Sequence, residues 1–254
     1  DKEGVKFSTK SIRLENCVRA IVDQQEKNGF TLNLRGAMML LSELQEEEEG
    51  LVATATEMFP PKELQLKTKI KYIPFNIASR KQIAERLMAK GWKPTKHTDK
   101  GNVIVNEETL SHIKMPEAQM FSRFFLLQKR TGMLKSWIKE CHDDGKVRGK
   151  VMTLKTITGR MAHNSPNMAQ VPAVYNPYGK ECRDLFTVPK GYKLVGCDAS
   201  GLELRMLAHY MNDKDYTETI LNGDIHTANQ EAAGLPTRDM AKTFIYAFLY
   251  GGGD

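Results

Sequence analysis

The chain has 254 residues, 41% of them hydrophobic, and a formal charge of +6 from 37 basic and 31 acidic side chains. That length allows one large or two small domains with a real core, and the basic excess, with a pI near 9.0, fits a nucleic-acid partner without demanding one. No apolar run approaches the roughly 18 residues of a membrane span, charges interrupt the opening residues where a secretory leader would be apolar, and Cys17, Cys141, Cys182 and Cys197 lie too far apart for a Cys-x-x-Cys zinc or redox motif, so buried free thiols are expected.

Residues 1–10 read as a loose lead-in. Residues 15–28 follow as a helix, with Val18, Ile21 and Val22 on one face and Gly29 as its stop. A second helix is expected from near Asn33 past Leu51. Its run of four glutamates, 46–49, reads as a solvated acidic face, because adjacent carboxylates point around a helix rather than together. Pro60-Pro61 ends that region. The lysine-bearing stretch 62–71 fits equally a solubilising linker and a segment near nucleic-acid phosphates. Ser79-Arg80-Lys81-Gln82 is a capping-box pattern opening a helix through Lys90, closed by Gly91.

Pro116 suits the first turn of the longest helix, expected over 117–141, whose Phe121, Phe124, Phe125, Leu127, Leu134, Trp137 and Ile138 form a packing stripe. Residues 147–156 alternate as a strand, and 158–172 read as a loop rich in turn residues. Pro189-Lys190-Gly191 reads as a turn into an apolar run, 192–195, expected as a short buried strand. Asp198 would then stand at a strand end, a usual place for a chemically active carboxylate in an α/β sheet; its plainer role would be a helix cap. Short helices are expected at 216–221, after Asp224-Ile225-His226, and after Pro236-Thr237.

On that last helix Arg238, Lys242 and Tyr246 are spaced by four. Each such step drifts only about 40°, so they form one stripe. Two cations and a phenol in line suit a triphosphate with a flat base beyond it. Tyr250 closes the stripe before a glycine run.

Three stretches resemble motifs of the family A, polymerase I type, DNA polymerases. Asp198, Ser200, Glu203, Leu204 and Arg205 match that family's Asp-x-Ser-x-x-Glu-Leu-Arg motif A. Arg238, Lys242, Tyr246, Tyr250 and Gly251 match its motif B. Thr158-Gly159-Arg160, with Pro166-Asn167 and Gln170, resembles the Thr-Gly-Arg…Pro-Asn-x-Gln segment. The wording is most similar to the polymerases of short-tailed phages, including Asp224-Ile225-His226.

The resemblance implies an α+β, mainly helical fold, a partial right-hand polymerase with thumb, part of the palm and the first fingers helix. It divides the chain into 1–105 leading into the thumb, 106–146 as thumb helices, 147–213 as palm with motif A, and 214–254 as the start of the fingers with motif B. It implies template-directed deoxynucleotidyl transfer in phage DNA replication, in the cytoplasm of an infected bacterial host. Two Mg²⁺ ions roughly 4 Å apart would serve it, one ligated by Asp198 and the Ala199 carbonyl. Asp198 and Lys242 would be catalytic. Arg238, Lys242, Tyr246, Tyr250, Glu203 and His226 would hold the nucleotide, and Glu203 would exclude a 2′-hydroxyl. Arg160, Asn167 and Gln170 would touch primer-template DNA, with backbone capping as the plainer role of the two amides. Lys129, Arg130 and Lys135 would add phosphate contacts on the thumb.

The family's second metal-binding aspartate belongs to a His-Asp-Glu motif that these 254 residues do not contain. The chain therefore reads as a fragment, inactive alone, whose partners are primer-template DNA, deoxynucleoside triphosphates and a C-terminal polymerase piece. A non-catalytic DNA-binding module and one half of a split polymerase are the alternatives. Some phage polymerases recruit thioredoxin through a long thumb insertion. The matching place here, 57–75, is short, and thioredoxin is not expected as a partner.

Overall fold

The computed structural model describes residues 8–252, so most of the expected lead-in, residues 1–7, lies outside it. The described chain is mainly helical with small antiparallel sheets and divides into two units, one ending at Leu194 and one starting at Val195. No helix among the described residues is long and apolar enough to cross a membrane.

The first unit is built around two long helices. Helix α1 (Thr9–Asn28) starts earlier than its apolar face predicts, because the Ser8 hydroxyl accepts from the Ser11 N–H. Strand β1 (Phe30–Leu32) leads into α2 (Leu34–Met58), capped by the Asn33 side chain on the Gly36 N–H at 3.0 Å. The lysine-bearing stretch forms a hairpin of β2 (Lys62–Gln65) and β3 (Ile70–Ile73). Helix α3 (Arg80–Ala89) has only half of the expected capping box. Ser79 caps the Gln82 N–H, while the Gln82 side chain accepts from the Asn76 N–H instead. Helix α4 (Glu107–Ser111) carries a complete box between Asn106 and Thr109.

Helix α5 (Pro116–Lys139) opens with proline at its first turn, where the missing N–H costs nothing. It buries apolar side chains in two directions, and so joins two cores. Towards α3 and α4, Phe121 packs with Phe59 and Phe75 at ring separations of 5.7 and 5.8 Å. Towards α2, Leu127, Leu134 and Trp137 pack on Leu32, Leu44, Val147 and Cys182. Trp137 meets Phe186 edge to face at 5.0 Å.

Strands β4 (Lys146–Val147) and β7 (Phe186–Thr187) flank β1 on either side. The single strand expected over 147–156 is broken. Gly149 separates β4 from β5 (Lys150–Met152), and a Cβ there would lie 2.7 Å from the Pro166 carbonyl oxygen. Strand β5 pairs instead with β6 (Ala162–Asn164). A 3-10 turn, Met168–Gln170, and helix α6 (Gly179–Asp184) complete the unit.

The glutamate run is not wholly solvated: Glu47 pairs with Arg123, and Glu48 accepts from Thr131 at 3.3 Å. Arg130 is not on the polar side of its helix. It is buried and donates to the Pro177 carbonyl at 3.1 Å, a protein acceptor in the place a phosphate was expected to take. Of the cysteines, Cys182 is buried but Cys17 and Cys197 are exposed, since neither sits on an element's packed face. The apolar run 192–195 forms no strand: Tyr192, Leu194 and Val195 are exposed, and no described strand lies alongside to take its backbone groups. Asp198 therefore follows irregular chain rather than a strand end.

The second unit is helical, with α7 (Leu202–Met211), α8 (Lys214–Asn222), α9 (Ile225–Ala232) and α10 (Arg238–Leu249). Gly201 enters α7 at φ +59°, in the left-handed region that a side chain disfavours. Asp213, Asp224 and Thr237 cap the next three helices through their side-chain oxygens.

Candidate nucleotide site

The second unit holds a cavity of about 590 Å³. Its wall is built from the turn before α7 (Asp198, Ala199, Ser200), from Glu203 and Arg205 on α7, from Asp224 and His226 at the start of α9, and from the α10 stripe Arg238, Lys242 and Tyr246. Leu204, Ile220 and Ile225 contribute an apolar floor. Residues far apart in sequence thus line one cavity, and Arg238, Lys242 and Tyr246 share one side of one helix, as their spacing by four predicted.

Local bonds fix the polar members. The Arg205 guanidinium donates to the Ser200 carbonyl at 2.8 Å, bracing the turn that presents Asp198. Arg238 pairs bidentately with Asp224, Nε to Oδ2 at 2.7 Å and Nη2 to Oδ1 at 3.1 Å. This pairing holds the Asp224 carboxyl well below the ordinary carboxylate range. The Tyr250 hydroxyl donates to Glu203 at 3.4 Å. Burial, then the charges of Arg238 and Lys242, lowers the proton affinity of the His226 imidazole. Its Nδ1 is buried without a hydrogen-bond partner among the described residues, and its ring stands 6.3 Å from that of Tyr246. Burial raises the Tyr246 phenol, with Glu203 adding to the shift.

The sequence reading took Asp224 as a helix opener and missed its tie to Arg238. The signal was available, since an aspartate cap before a histidine, ahead of a helix opening on arginine, places opposite charges at two helix starts. The remaining expected site residues lie in the first unit. Arg160 is exposed just before β6. Asn167 caps the 3-10 turn, its Oδ1 accepting from the Ala169 N–H at 3.1 Å, and Gln170 is exposed at that turn's end. The capping role weighed for Asn167 is therefore present, and it leaves the amide NH₂ for another acceptor.

The profile of DNA polymerase family A matches residues 48–254. The chain belongs to that family. It is 45% identical over 208 residues to the DNA-directed DNA polymerase of Escherichia phage T7, and 45% identical over 208 residues to that of Enterobacteria phage T3. Each alignment covers 74% of this chain and 30% of the relative, so the chain spans about a third of either polymerase's length. The thermostable DNA polymerase I of Thermus aquaticus is 28% identical over 255 residues, covering 94% of this chain. In fold, the chain matches the POL domain of Pol1 from M. smegmatis, solved with DNA primer-template and dNTP, at a TM-score of 0.72 and 21% identity. That match covers 91% of this chain and 41% of the other, and fits the partial α+β polymerase fold expected from the motifs.

The family generally uses divalent metal ions. No group of three or more His, Cys, Asp or Glu side chains among the described residues is placed to hold one. Of the carboxylates lining the cavity, Glu203 meets Tyr250 and Asp224 meets Arg238, while Asp198 is an exposed residue of its wall. That donor set fits a hard cation held by one carboxylate, a backbone carbonyl and substrate phosphates, which is how Mg²⁺ is commonly bound, rather than an all-protein cage.

Proposed function

We propose that this chain carries the nucleotide-holding part of a polymerase that adds deoxynucleotides to a primer 3′-hydroxyl on a DNA template, as in phage replication within an infected cell. The supporting observation is that Asp198, His226, Arg238, Lys242 and Tyr246 line one cavity of about 590 Å³. That size lies within the usual range for small-molecule sites. The DNA primer-template and dNTP in the solved relative support the same partners here. In this reading 106–146 is thumb, 147–213 palm and 214–254 the start of the fingers.

Arg238 and Lys242 bind the triphosphate by charge-assisted hydrogen bonds and remain in place to neutralise the departing pyrophosphate. His226, whose proton affinity its surroundings lower, adds a hydrogen-bond donor to the phosphates. Tyr246 lies one helical step beyond Lys242, where the sugar and base follow the phosphates. Glu203, already accepting from Tyr250, crowds the sugar and has less capacity left for a 2′-hydroxyl. Asp198 and the Ala199 carbonyl would hold Mg²⁺ when it is bound. When bound, the two ions of the family's mechanism supply positive charge to the attacking and leaving oxygens. Arg160, Asn167 and Gln170 meet the primer-template, Arg160 by reading minor-groove acceptors common to correct pairs.

Equilibrium binding of a labelled deoxynucleoside triphosphate with Mg²⁺ tests the reading. Lys242→Ala weakens binding by about tenfold or more, the worth of one charge-assisted hydrogen bond. Unchanged affinity would reject it. In the longer polymerase, Asp198→Asn abolishes extension of a primer while duplex affinity, which rests on phosphate contacts, is retained.

A further inference from the structure

The Asp224 carboxylate does more than open α9. Its Oδ1 accepts from the His226 backbone N–H at 3.1 Å and from Arg238 Nη2 at 3.1 Å. Its Oδ2 accepts from the Thr227 hydroxyl at 2.9 Å and from Arg238 Nε at 2.7 Å. One side chain thus joins the first turn of α9 to the first residue of α10. The connection between these helices is itself fixed: Gly234, at φ +62°, donates to the Glu231 carbonyl at 3.2 Å, and Leu235 donates to that of Gln230 at 3.0 Å. A guanidinium held along its Nε–Nη2 edge keeps its Nη1 amino group for a second acceptor in the same plane.

We propose that Asp224 is a positioning residue for the polymerase reaction, aiming the Arg238 guanidinium, and with it the start of α9 that bears His226, at the triphosphate. The inference rests on the triphosphate reading above. It is counter-intuitive on charge alone, because a carboxylate beside a phosphate site repels the ligand. Pure electrostatics therefore predicts that neutralising Asp224 tightens anion binding. Positioning predicts that it loosens it, since an unheld arginine at a helix start samples many rotamers and orders only on binding. A role confined to capping predicts no change on replacement by asparagine, which caps helices as well as aspartate does.

The test is calorimetric titration of the full chain with inorganic tripolyphosphate and Mg²⁺, for wild type, Asp224→Asn, Arg238→Ala, Lys242→Ala and the double variant Asp224→Asn/Arg238→Ala, with helical content checked by circular dichroism. Asp224→Ser, which also caps, serves as a second replacement should asparagine perturb the fold. The expected result is a loss of about tenfold for Asp224→Asn or Asp224→Ser, comparable to a charge-assisted pair, and no further loss when Asp224→Asn is added to Arg238→Ala. Unchanged or tighter binding by the Asp224 variants, with Arg238→Ala weakened, overturns the positioning role and leaves the triphosphate reading standing. An additive double variant overturns it equally. Unchanged binding by both Arg238→Ala and Lys242→Ala overturns the triphosphate reading itself, and the inference with it.

Discussion

Arg123 on α5 holds Glu47 on α2 with two parallel hydrogen bonds, Nε to Oε1 at 2.5 Å and Nη2 to Oε2 at 2.8 Å. The Tyr178 hydroxyl donates to the same carboxylate at 2.9 Å and accepts from Arg123. The arginine also lies 5.1 Å from the Tyr178 ring centre. Three distant segments are tied at one point, and the planar fork of arginine is what the geometry requires. Arg123→Lys should destabilise the first unit by about 1 to 2 kcal/mol, more than an isolated surface pair would. Chemical denaturation measures it, and a double-mutant cycle with Glu47→Gln should show the two effects to be non-additive. Arg123 holds the Glu47 carboxyl below its ordinary value of 4.5. Its contribution is thus present above about pH 4.5 and is lost as pH falls through the lower folded value.

Cys182 gives a window at the other end of the pH scale. It is fully buried against Leu185 and Trp137's cluster, and burial raises its thiol from 9.0 to about 11. A raised folded value means that stability is intact below pH 9.0 and declines as pH rises towards about 11. The loss should be on the order of 2 kcal/mol, at roughly 1.36 kcal/mol per pH unit less some solvent screening. Thermal melts of wild type and Cys182→Ala between these pH values check it. The variant should lose the part of the slope that the thiol causes, while a slope identical to wild type would remove Cys182 as its source.

Gly179 begins α6 where no side chain fits. A Cβ there would lie 1.8 Å from the Ala173 carbonyl oxygen, and backbone rather than a mobile side chain blocks it. Gly179→Ala should cost about 3 kcal/mol or more by displacing the 173–178 turn from α6. Because Tyr178 is the adjacent residue, the loss should exceed that of Tyr178→Phe alone, measured in the same denaturation series.

Glu203 and Tyr246 divide sugar recognition in the proposed reaction. Glu203→Ala should raise ribonucleotide incorporation far more than it lowers deoxynucleotide use, because it removes the side chain proposed to crowd a 2′-hydroxyl. Tyr246→Phe should raise discrimination against dideoxynucleotides, as the family resemblance implies for phenylalanine at this place. Single-nucleotide extension in the longer polymerase distinguishes the two. Unchanged sugar selection in Glu203→Ala would remove it as the steric gate.

Local signals were the legible ones. Asn33, Ser79, Pro116, Asp224 and Thr237 each mark a helix start within reach of their own backbone, so sequence alone locates them. The α10 stripe was legible for the same reason, since helical spacing fixes which side chains share a side. What depended on distant partners was not. Arg130 looks like any surface cation until α6's preceding turn supplies the Pro177 carbonyl. Glu47 is indistinguishable from its neighbours until Arg123 arrives from α5. The 192–195 run has strand composition, but a strand is made by its neighbour as much as by its own residues.

The irregular chain around Tyr192–Val195 offers an open route for cleavage. Lys190 and Lys193 are exposed on backbone that joins no helix or sheet, with the turn from the Tyr192 N–H to the Pro189 carbonyl as its local tie. A protease needs some residues of chain free of helix and sheet, which the nine helical lysines among the described residues lack, and Lys190 and Lys193 share that freedom with loop lysines such as Lys96, Lys100 and Lys155. Brief trypsin digestion under native conditions should therefore cut here early, releasing the helical unit that carries Arg238 and Lys242 from the one that carries Arg160. The two cleavage products, separated, would let the proposed nucleotide and DNA surfaces be assayed one at a time.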